Sequence, residues 1–317
     1  MTRTWIRTLG RALWRTAISF IALVSLALAA LYAESHASKE AYMSARKGQL
    51  TNSNVQTQDR GTAREQRAVR LTSDSDLSLF LRVLRDGRDE KARPALVILG
   101  GHRTGQDAVD LFTTVPGYAV VALDYPYTGP HRVRGAAQVI DALPKARRAF
   151  LDTPPAVSLV HDWLETQPWY DGTSIIVGAS LGVPFAAKAA SRDPRIDGVI
   201  LVHGAADNAR WLTVQVARRV DHQWLHKPLG TALHWLAYGP TFDTRESVAN
   251  IAPRPVLIIG AERDERTPRD EVEALFDAAN TPKRLRWTSG LHVEPDRRDV
   301  IDQMLSIAAE EMPFLLP

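Results

Sequence analysis

The stretch of this sequence with the strongest chemical signature is a Gly-x-Ser-x-Gly pentapeptide at residues 178–182. A short apolar run, residues 174–177, precedes it, and a run with helical character, residues 183–190, follows it. A serine on a sharp turn between a strand and a helix has an exposed hydroxyl, and the two glycines prevent collisions with those elements. We therefore predict that Ser180 is a nucleophile. The alternative is an ordinary glycine-serine turn.

A catalytic serine needs a histidine base within hydrogen-bonding distance, and the histidine needs a carboxylate that fixes its tautomer. In sheets that carry such a serine turn, the acid and then the histidine follow the serine in the chain. Asp264 lies in the loop after the apolar run 255–259, and His292 follows residues 283–288, which predict a last strand. Both side chains would then lie at the same sheet edge as Ser180, and we predict a catalytic triad.

Other carboxylates in this part of the chain remain alternatives to Asp264 as the acid. Glu262 and Glu265 lie in the same loop, and Asp207 follows the preceding strand. The base is chosen by position from nine histidines. His292 is preferred because it follows both the last predicted strand and a glycine.

Three further histidines have other interpretations. His203 ends an apolar strand, where it could support the site or belong to the core. His222 and His226 have the i, i+4 spacing of a zinc site, but Gln223 replaces the glutamate that serves as base in the metalloprotease motif. We therefore predict no metal site at these residues.

Acyl transfer from a serine also requires donors that stabilise the negative charge on the substrate oxygen. The N–H of Leu181 lies at the start of the predicted helix and is the first candidate. The loop at residues 99–105 contains paired glycines that let the backbone approach a substrate closely. We predict that the N–H of His102, or of a neighbour such as Gly101, is the second donor. A phosphate-binding loop is the alternative, but the loop matches neither common phosphate-binding glycine motif.

Short apolar runs alternate with helix-like stretches after residue 67. Continuous runs rich in Val, Ile and Leu predict strands that are covered on both faces, as in a parallel sheet. Such strands are predicted at residues 95–99, 119–123, 174–177, 198–202 and 255–259, and an antiparallel strand at 77–84. Helices are predicted at residues 107–114, 156–167, 183–191 and 270–279. This alternation predicts a doubly wound α/β domain over residues 68–317.

One long segment, residues 205–254, interrupts this alternation. Helical periodicity is present at 213–225 and 229–236, and the segment is rich in aromatic side chains. These are Trp211, Trp224, Trp235, Tyr238 and Phe242. We predict a helical cap over the C-terminal edge of the sheet, where ligands bind in open α/β sheets. The alternative for each aromatic residue is that it only packs the cap onto the body.

The first 33 residues predict a targeting segment. Four arginines precede an uncharged run, residues 16–33, whose length is the lower limit for crossing a membrane. The arginines should stay in the cytoplasm, which places the C-terminal body outside it. Residues 35–37 also form a small-x-small cleavage site, so a retained membrane anchor and a removed signal peptide, giving a secreted or periplasmic protein, both remain open. Residues 34–67 are polar and predict a linker.

Charge and composition exclude several classes of function. The formal net charge is +3, and it becomes −1 without the four N-terminal arginines, so a nucleic-acid partner is not expected. The chain has no cysteine, which excludes disulfides, thiol nucleophiles and Cys-ligated metals. The sequence does not indicate an oligomeric state.

The paired glycines at 100–101, the serine turn at Ser180, and the later Asp264 and His292 together resemble the α/β-hydrolase superfamily, from about residue 69 to the C-terminus. The resemblance implies an eight-stranded, mostly parallel sheet. It also implies acyl-transfer chemistry that uses neither a metal nor an organic cofactor. It does not distinguish among ester, amide, thioester and lipid substrates.

These residues predict an esterase-like serine hydrolase, anchored to a membrane or exported, that cleaves a small-molecule or acyl substrate through an acyl-enzyme. Two alternatives remain. The same triad could belong to a peptidase or an acyltransferase, or the domain could be catalytically silent and used for binding.

Overall fold

One mixed sheet runs through the protein. The structure is a computed structural model that describes residues 2–101, 104–113, 117–130, 132 and 134–316. The strands in these ranges are β1 (Leu50–Gln58), β2 (Glu65–Ser73), β3 (Ser78–Arg85), β4 (Arg93–Leu99), β5 (Ala119–Leu123), β6 (Tyr170–Ala179), β7 (Gly198–Val202), β8 (Val256–Ala261) and β9 (Lys283–Thr288). Their spatial order is β1-β2-β3-β5-β4-β6-β7-β8-β9. The pairs from β1 to β5 are antiparallel, and those from β5 to β9 are parallel.

The predicted α/β class and mostly parallel sheet are confirmed, but the described residues form nine strands instead of eight. The additional strand is β1, which pairs with β2 at the sheet edge. All of its residues except Leu50 are exposed. Backbone hydrogen bonds can hold such a strand without apolar side chains, because every peptide group carries a donor and an acceptor. A polar sequence therefore forms an edge strand here.

The helices lie on both faces of the sheet. In the described part of the chain they are α1 (Thr2–His36), α2 (Glu40–Lys47), α3 (Gly135–Leu164), α4 (Gly182–Arg192), α5 (Asn208–Ala217), α6 (Gln223–Leu236), α7 (Thr244–Ala249), α8 (Arg269–Ala278) and α9 (Arg298–Leu315). Two 3₁₀ helices span Gly105–Leu111 and Gly239–Phe242. The helix predicted at 107–114 is thus a short 3₁₀ helix, and the one predicted at 156–167 is the second half of α3.

Two apolar cores lie on opposite faces of the sheet. Alternate residues of β4 enter different cores, with Val97 in the first and Leu96 and Ile98 in the second. This alternation follows from the two-residue period of a strand. Helices α3, α4 and α8 cover the first core, whereas α9 and the 3₁₀ helix Gly105–Leu111 cover the second. Both faces of the central strands are buried, as their continuous apolar sequences predict.

The segment 34–67, which the sequence predicts to be a linker, contains α2 and β1. Met43 of α2 is buried, and Arg46 forms an ion pair with Asp152 of α3 at 3.0 Å. Tyr42 donates a second hydrogen bond to the same carboxylate, at 2.7 Å. The linker prediction is therefore wrong for these elements. Helix α2 is held to α3 mainly by polar contacts, so its sequence lacks the apolar periodicity that indicates a packed helix.

Helix α1 contains the predicted targeting segment. Its stretch Trp14–His36 has 23 residues with a mean hydropathy of 2.1 and is not buried inside the protein. It is long and apolar enough to cross a membrane, a property that signal sequences share. The C-terminal end of α1 contacts the body. Tyr32 packs edge-on against Trp235 at 5.3 Å between ring centroids, and Glu34 accepts hydrogen bonds from Tyr238 and Arg147.

The segment predicted as a cap, residues 205–254, contains α5, α6, the 3₁₀ helix Gly239–Phe242 and α7. Its aromatic residues have different environments. Phe242 is buried and packs on Phe185 of α4 at 4.7 Å between ring centroids. Trp224 is 75% exposed, so it does not contribute to packing between the cap and the body.

Candidate active site

Ser180 lies on a sharp turn between β6 and α4. Its φ of 53° is in the left-handed region, which is uncommon for a residue with a side chain. The Ser180 N–H donates to the Val202 carbonyl at 2.9 Å, and the Val183 N–H donates to the Ser180 carbonyl at 3.1 Å. A Cβ on Gly182 would overlap the carbonyl oxygen of Leu99. Glycine at this position therefore lets α4 approach β4 closely enough to hold the strained turn.

The three residues of the predicted triad form one chain of hydrogen bonds. The Ser180 Oγ lies 2.7 Å from Nε2 of His292. The other ring nitrogen of His292, Nδ1, lies 2.9 Å from Oδ2 and 3.0 Å from Oδ1 of Asp264. The imidazole is fully buried and the carboxylate is 1% exposed. Nε2 can therefore accept a proton from the serine while Nδ1–H donates to the carboxylate.

The Asp264 carboxylate is fixed by its own loop. Its Oδ1 accepts hydrogen bonds from the N–H groups of Arg266 and Thr267, both at 2.8 Å. Two backbone donors and the imidazole together satisfy a carboxylate that water does not reach. This arrangement holds the imidazole of His292 in one orientation toward Ser180.

The alternative acids have other partners. Glu265 accepts a hydrogen bond from the backbone N–H of His292 at 2.9 Å and one from Arg297 at 2.7 Å. Burial alone would raise the pKa of Glu265, but these hydrogen bonds lower it to about 2. Asp207 accepts from two N–H groups at the start of α5, and the residue Glu262 is exposed. Of these carboxylates, only that of Asp264 contacts the His292 imidazole among the described residues.

Arg297 is a supporting residue that the sequence analysis missed. Its Nη1 also donates to the carbonyl oxygen of His292 at 2.7 Å. Together with Glu265, it fixes the backbone on both sides of the imidazole. Its position five residues after His292 is not a recognisable signal, because the contact depends on how the loop before α9 turns back.

His203 is a buried histidine beside His292 that holds the backbone of the next residue. Its Nδ1 accepts a hydrogen bond from the N–H of Val293 at 2.8 Å, and its ring lies 5.5 Å from that of His292. Burial lowers the pKa of His203 to about 4, although the nearby Asp264 opposes this shift. The ring is therefore neutral near pH 7, and it holds the residue after His292 without adding a positive charge beside the base.

The predicted oxyanion donors lie on both sides of Ser180. Leu181 is the N-cap residue of α4, so its N–H lies at the positive end of that helix. Across from it, a Cβ on Gly101 would lie 4.0 Å from the Ser180 Cβ, and the Tyr125 hydroxyl donates to the Gly100 carbonyl at 2.8 Å. His102, the other predicted donor, lies outside the described residues.

Three side chains of this site are close enough together to bind a metal ion. Ligand atoms of His203, Asp264 and His292 lie within 4.8 Å of one another. Both Nδ1 atoms and both carboxylate oxygens, however, already take part in the hydrogen bonds described above. At the second candidate site, Nε2 of His226 is hydrogen-bonded to the Val220 carbonyl oxygen at 2.6 Å. The donor set at Ser180 is therefore better suited to proton transfer than to metal binding.

A cleft of about 480 Å³ separates Ser180 from the cap. Its apolar wall is formed by side chains of α5 and α6 and of the loop between them. These residues are Trp211, Leu212, Val216, Val220, Leu229 and Leu233. Arg219 and Arg266 lie at the edge of the cleft near the serine. A substrate can thus reach the Ser180 hydroxyl through a predominantly apolar entrance that the cap shapes.

No protein-family model and no curated protein sequence matches the chain. Several solved structures do match it. An acetyl xylan esterase from Paenibacillus sp. R4 has a TM-score of 0.60 at 15% identity, over 84% of this chain and 90% of that one. A Pyrococcus furiosus esterase has a TM-score of 0.55 at 16% identity, over 80% and 92%. The α/β-hydrolase GrgF from Penicillium sp. sh18 has a TM-score of 0.51 at 16% identity, over 78% and 99%.

These likenesses and the sheet order identify the fold. The chain has the α/β-hydrolase fold, as the resemblance of its sequence implied. At such low identities the structures share the fold, and one fold supports many reactions. The reaction must therefore be argued from the site itself.

Proposed function

We propose that the protein is a serine hydrolase that cleaves carboxylic esters through an acyl-enzyme. The observation that carries the proposal is the continuous hydrogen-bond chain from Ser180 through His292 to Asp264. Each of the three groups has a neighbour suited to its role in acyl transfer. Structures of the same fold described as acetyl xylan esterases and an esterase make an ester the first substrate class to test.

In the first half of the proposed reaction, Ser180 Oγ forms a bond to the ester carbonyl carbon while His292 Nε2 takes the hydroxyl proton. The oxygen of the tetrahedral intermediate carries a negative charge, which the Leu181 N–H and a donor near Gly101 stabilise. When the bond to the alcohol breaks, His292 returns the proton to the leaving oxygen. In the second half, water attacks the acyl-enzyme by the same route and frees Ser180.

A fluorophosphonate probe tests this proposal directly, because it bonds covalently to serines that a neighbouring base activates. We expect the full-length protein to be labelled and the Ser180→Ala variant to remain unlabelled. Ser191→Ala is the matched control, since Ser191 lies at the opposite end of α4 and its hydroxyl donates to the Lys188 carbonyl. A folded wild-type protein that is not labelled would contradict the proposal and would favour a catalytically silent binding domain.

We further propose that α1 anchors the enzyme in a membrane, with the body on the extracytoplasmic side. The exposed apolar stretch Trp14–His36 has three arginines before it and Arg15 at its start, and these charges support this orientation. The contacts of Tyr32 and Glu34 with the body would then hold the domain close to the membrane surface.

A reporter fusion tests the anchor. Residues 1–37 are fused to an enzyme that is active only outside the cytoplasm, and a fusion without residues 1–33 is the control. We expect activity from the first fusion alone, and we expect it to sediment with membranes after an alkaline wash. Inactivity of both fusions would exclude export, whereas an active product in the soluble fraction would indicate a cleaved signal peptide.

A further inference from the structure

A second cavity begins at Ser180 and runs away from the cap, along the face of the sheet that α9 covers. Its volume is about 160 Å³. Strands β4, β6 and β7 form one wall, and α9 forms the opposite wall. Representative lining residues are Leu96, Ile98, Val177, Ile200, Met304 and Ala308. The far end lies beside Leu96 and Tyr118, which also border a small apolar recess next to Met312.

The cavity exists because a short helix covers this face of the sheet. The 3₁₀ helix Gly105–Leu111 has seven residues, so it is only about 14 Å long. It packs mainly on β5 and β3, and α9 packs on β7, β8 and β9. The central strands β4 and β6 lie between these two covers. Val177 of β6 is accordingly only partly buried, although its neighbour Ile176 on the opposite face is fully buried.

Most of the described side chains that line the cavity are apolar, and the polar ones are those of Thr104, Tyr118, Ser180, Arg219, Arg266 and Glu294. Arg219 and Arg266 line both this cavity and the cap cleft, as Ser180 does, so they lie where the two spaces meet. Beyond that junction the walls are mainly aliphatic side chains of strands and α9. The described part of this surface offers few partners to the hydroxyl groups of a sugar, but it gains free energy when it buries methylene groups.

We infer that this cavity binds the acyl chain of the substrate, and that the enzyme prefers esters of medium-length acids, on the order of ten carbons. This inference rests on the proposed function and specifies its substrate class. A volume of 160 Å³ corresponds to about ten water-sized spaces, and a methylene group is similar in size to a water molecule. With the carbonyl carbon at Ser180, the chain lies against β6 and α9 while the alcohol occupies the cap cleft.

The test compares acetate and decanoate p-nitrophenyl esters on the full-length protein in lipid nanodiscs. Ala308→Phe should block the cavity midway along α9 and lower the ratio of kcat/KM for decanoate over acetate at least tenfold. Each methylene group that can no longer enter the cavity weakens the binding of the substrate about fourfold. Ala309→Phe is the matched control, since Ala309 is the exposed neighbour on the same helix, and it should leave the ratio unchanged.

A second variant keeps the test valid if the Ala308→Phe protein does not fold. Met304→Ala enlarges the cavity instead of filling it, and it should move the optimum to longer acyl chains. The inference is overturned if Ala308→Phe keeps the wild-type ratio while Met304→Ala keeps the wild-type chain-length optimum, or if the wild type hydrolyses acetate at least as well as decanoate.

Binding of decanoic acid separates this inference from the proposed function. The Ser180→Ala variant should bind decanoic acid, and the double variant with Ala308→Phe should bind it at least tenfold more weakly. If no ester is hydrolysed but this difference in binding is found, the hydrolase proposal fails and the acyl site stands. Equal binding by both variants overturns the acyl site.

Discussion

Replacing Ser180 with alanine is expected to lower kcat for ester hydrolysis by about 10⁴- to 10⁶-fold. Alanine removes the hydroxyl oxygen that lies 2.7 Å from Nε2 of the buried His292. The left-handed turn and the closely packed Gly182 remain, so the fold and the cavities should be preserved. Steady-state hydrolysis of p-nitrophenyl esters, with circular dichroism as a check of folding, measures the effect.

The decisive comparison is between single and double variants. His292→Ala should cost nearly as much as Ser180→Ala, and the double variant should be no slower than either, because the serine and its base act as one unit. Activity that remains within tenfold of the wild type in His292→Ala would contradict the triad. Multiplied losses in the double variant would show that the two residues act independently.

The buried strands could be predicted from sequence because they are apolar on both faces. Strands β5 and β7 have the predicted bounds, residues 119–123 and 198–202, and so does β9, residues 283–288, although β9 carries three charged residues and is mostly only partly buried. Each of the first two is fully buried over five residues. A buried helix segment is the competing interpretation of such runs, but their length of five residues and their content of Val, Ile and Leu favour a strand.

Elements held by polar contacts could not be predicted in the same way. Helix α2 depends on an ion pair with α3, and strand β1 depends on backbone hydrogen bonds to β2. Neither kind of contact requires a periodic pattern of apolar residues in the sequence. The helix predicted at 156–167 is only the second half of α3, which contains Pro154 and Pro155 in its interior although proline is typical of a helix start. Its packing against the sheet outweighs the loss of the proline hydrogen bonds.

The candidate site was easier to predict than its cavities. Ser180, Asp264 and His292 each follow a parallel strand, and the carboxyl ends of parallel strands meet at one sheet edge. Their positions after these strands therefore place the three residues close together. The acyl cavity depends on how far the 3₁₀ helix Gly105–Leu111 and α9 extend across the sheet. The sequence predicts an ordinary helix at residues 107–114 and so gives no sign of the uncovered strands.

Replacing Asp264 with asparagine is expected to lower kcat by about 10⁴-fold while the fold stays intact. Asparagine Oδ1 can still accept from the N–H groups of Arg266 and Thr267. Its amide NH₂ then faces Nδ1 of His292, which must become an acceptor. The ring proton moves to Nε2, and Nε2 can no longer take the Ser180 proton.

Glu265→Gln is the matched control, because glutamine can still accept from the His292 N–H while it removes the neighbouring charge. We expect kcat to change less than tenfold, since Glu265 contacts the backbone of His292 and not its ring. Equal losses in Asp264→Asn and Glu265→Gln would mean that the charge of the loop, and not the tautomer of the base, governs the reaction.

The same control predicts a specific change in acid stability. Hydrogen bonds from His292 and Arg297, opposed by burial, lower the pKa of Glu265 from 4.5 to about 2. A lowered carboxyl pKa stabilises the folded state above the unfolded-state pKa, and this contribution is lost as the pH falls from 4.5 toward 2. The free energy of unfolding should therefore fall less between pH 5 and pH 3 in Glu265→Gln than in the wild type, as denaturant titrations can measure. An equal fall in both proteins would show that Glu265 does not hold the His292 loop through its charge.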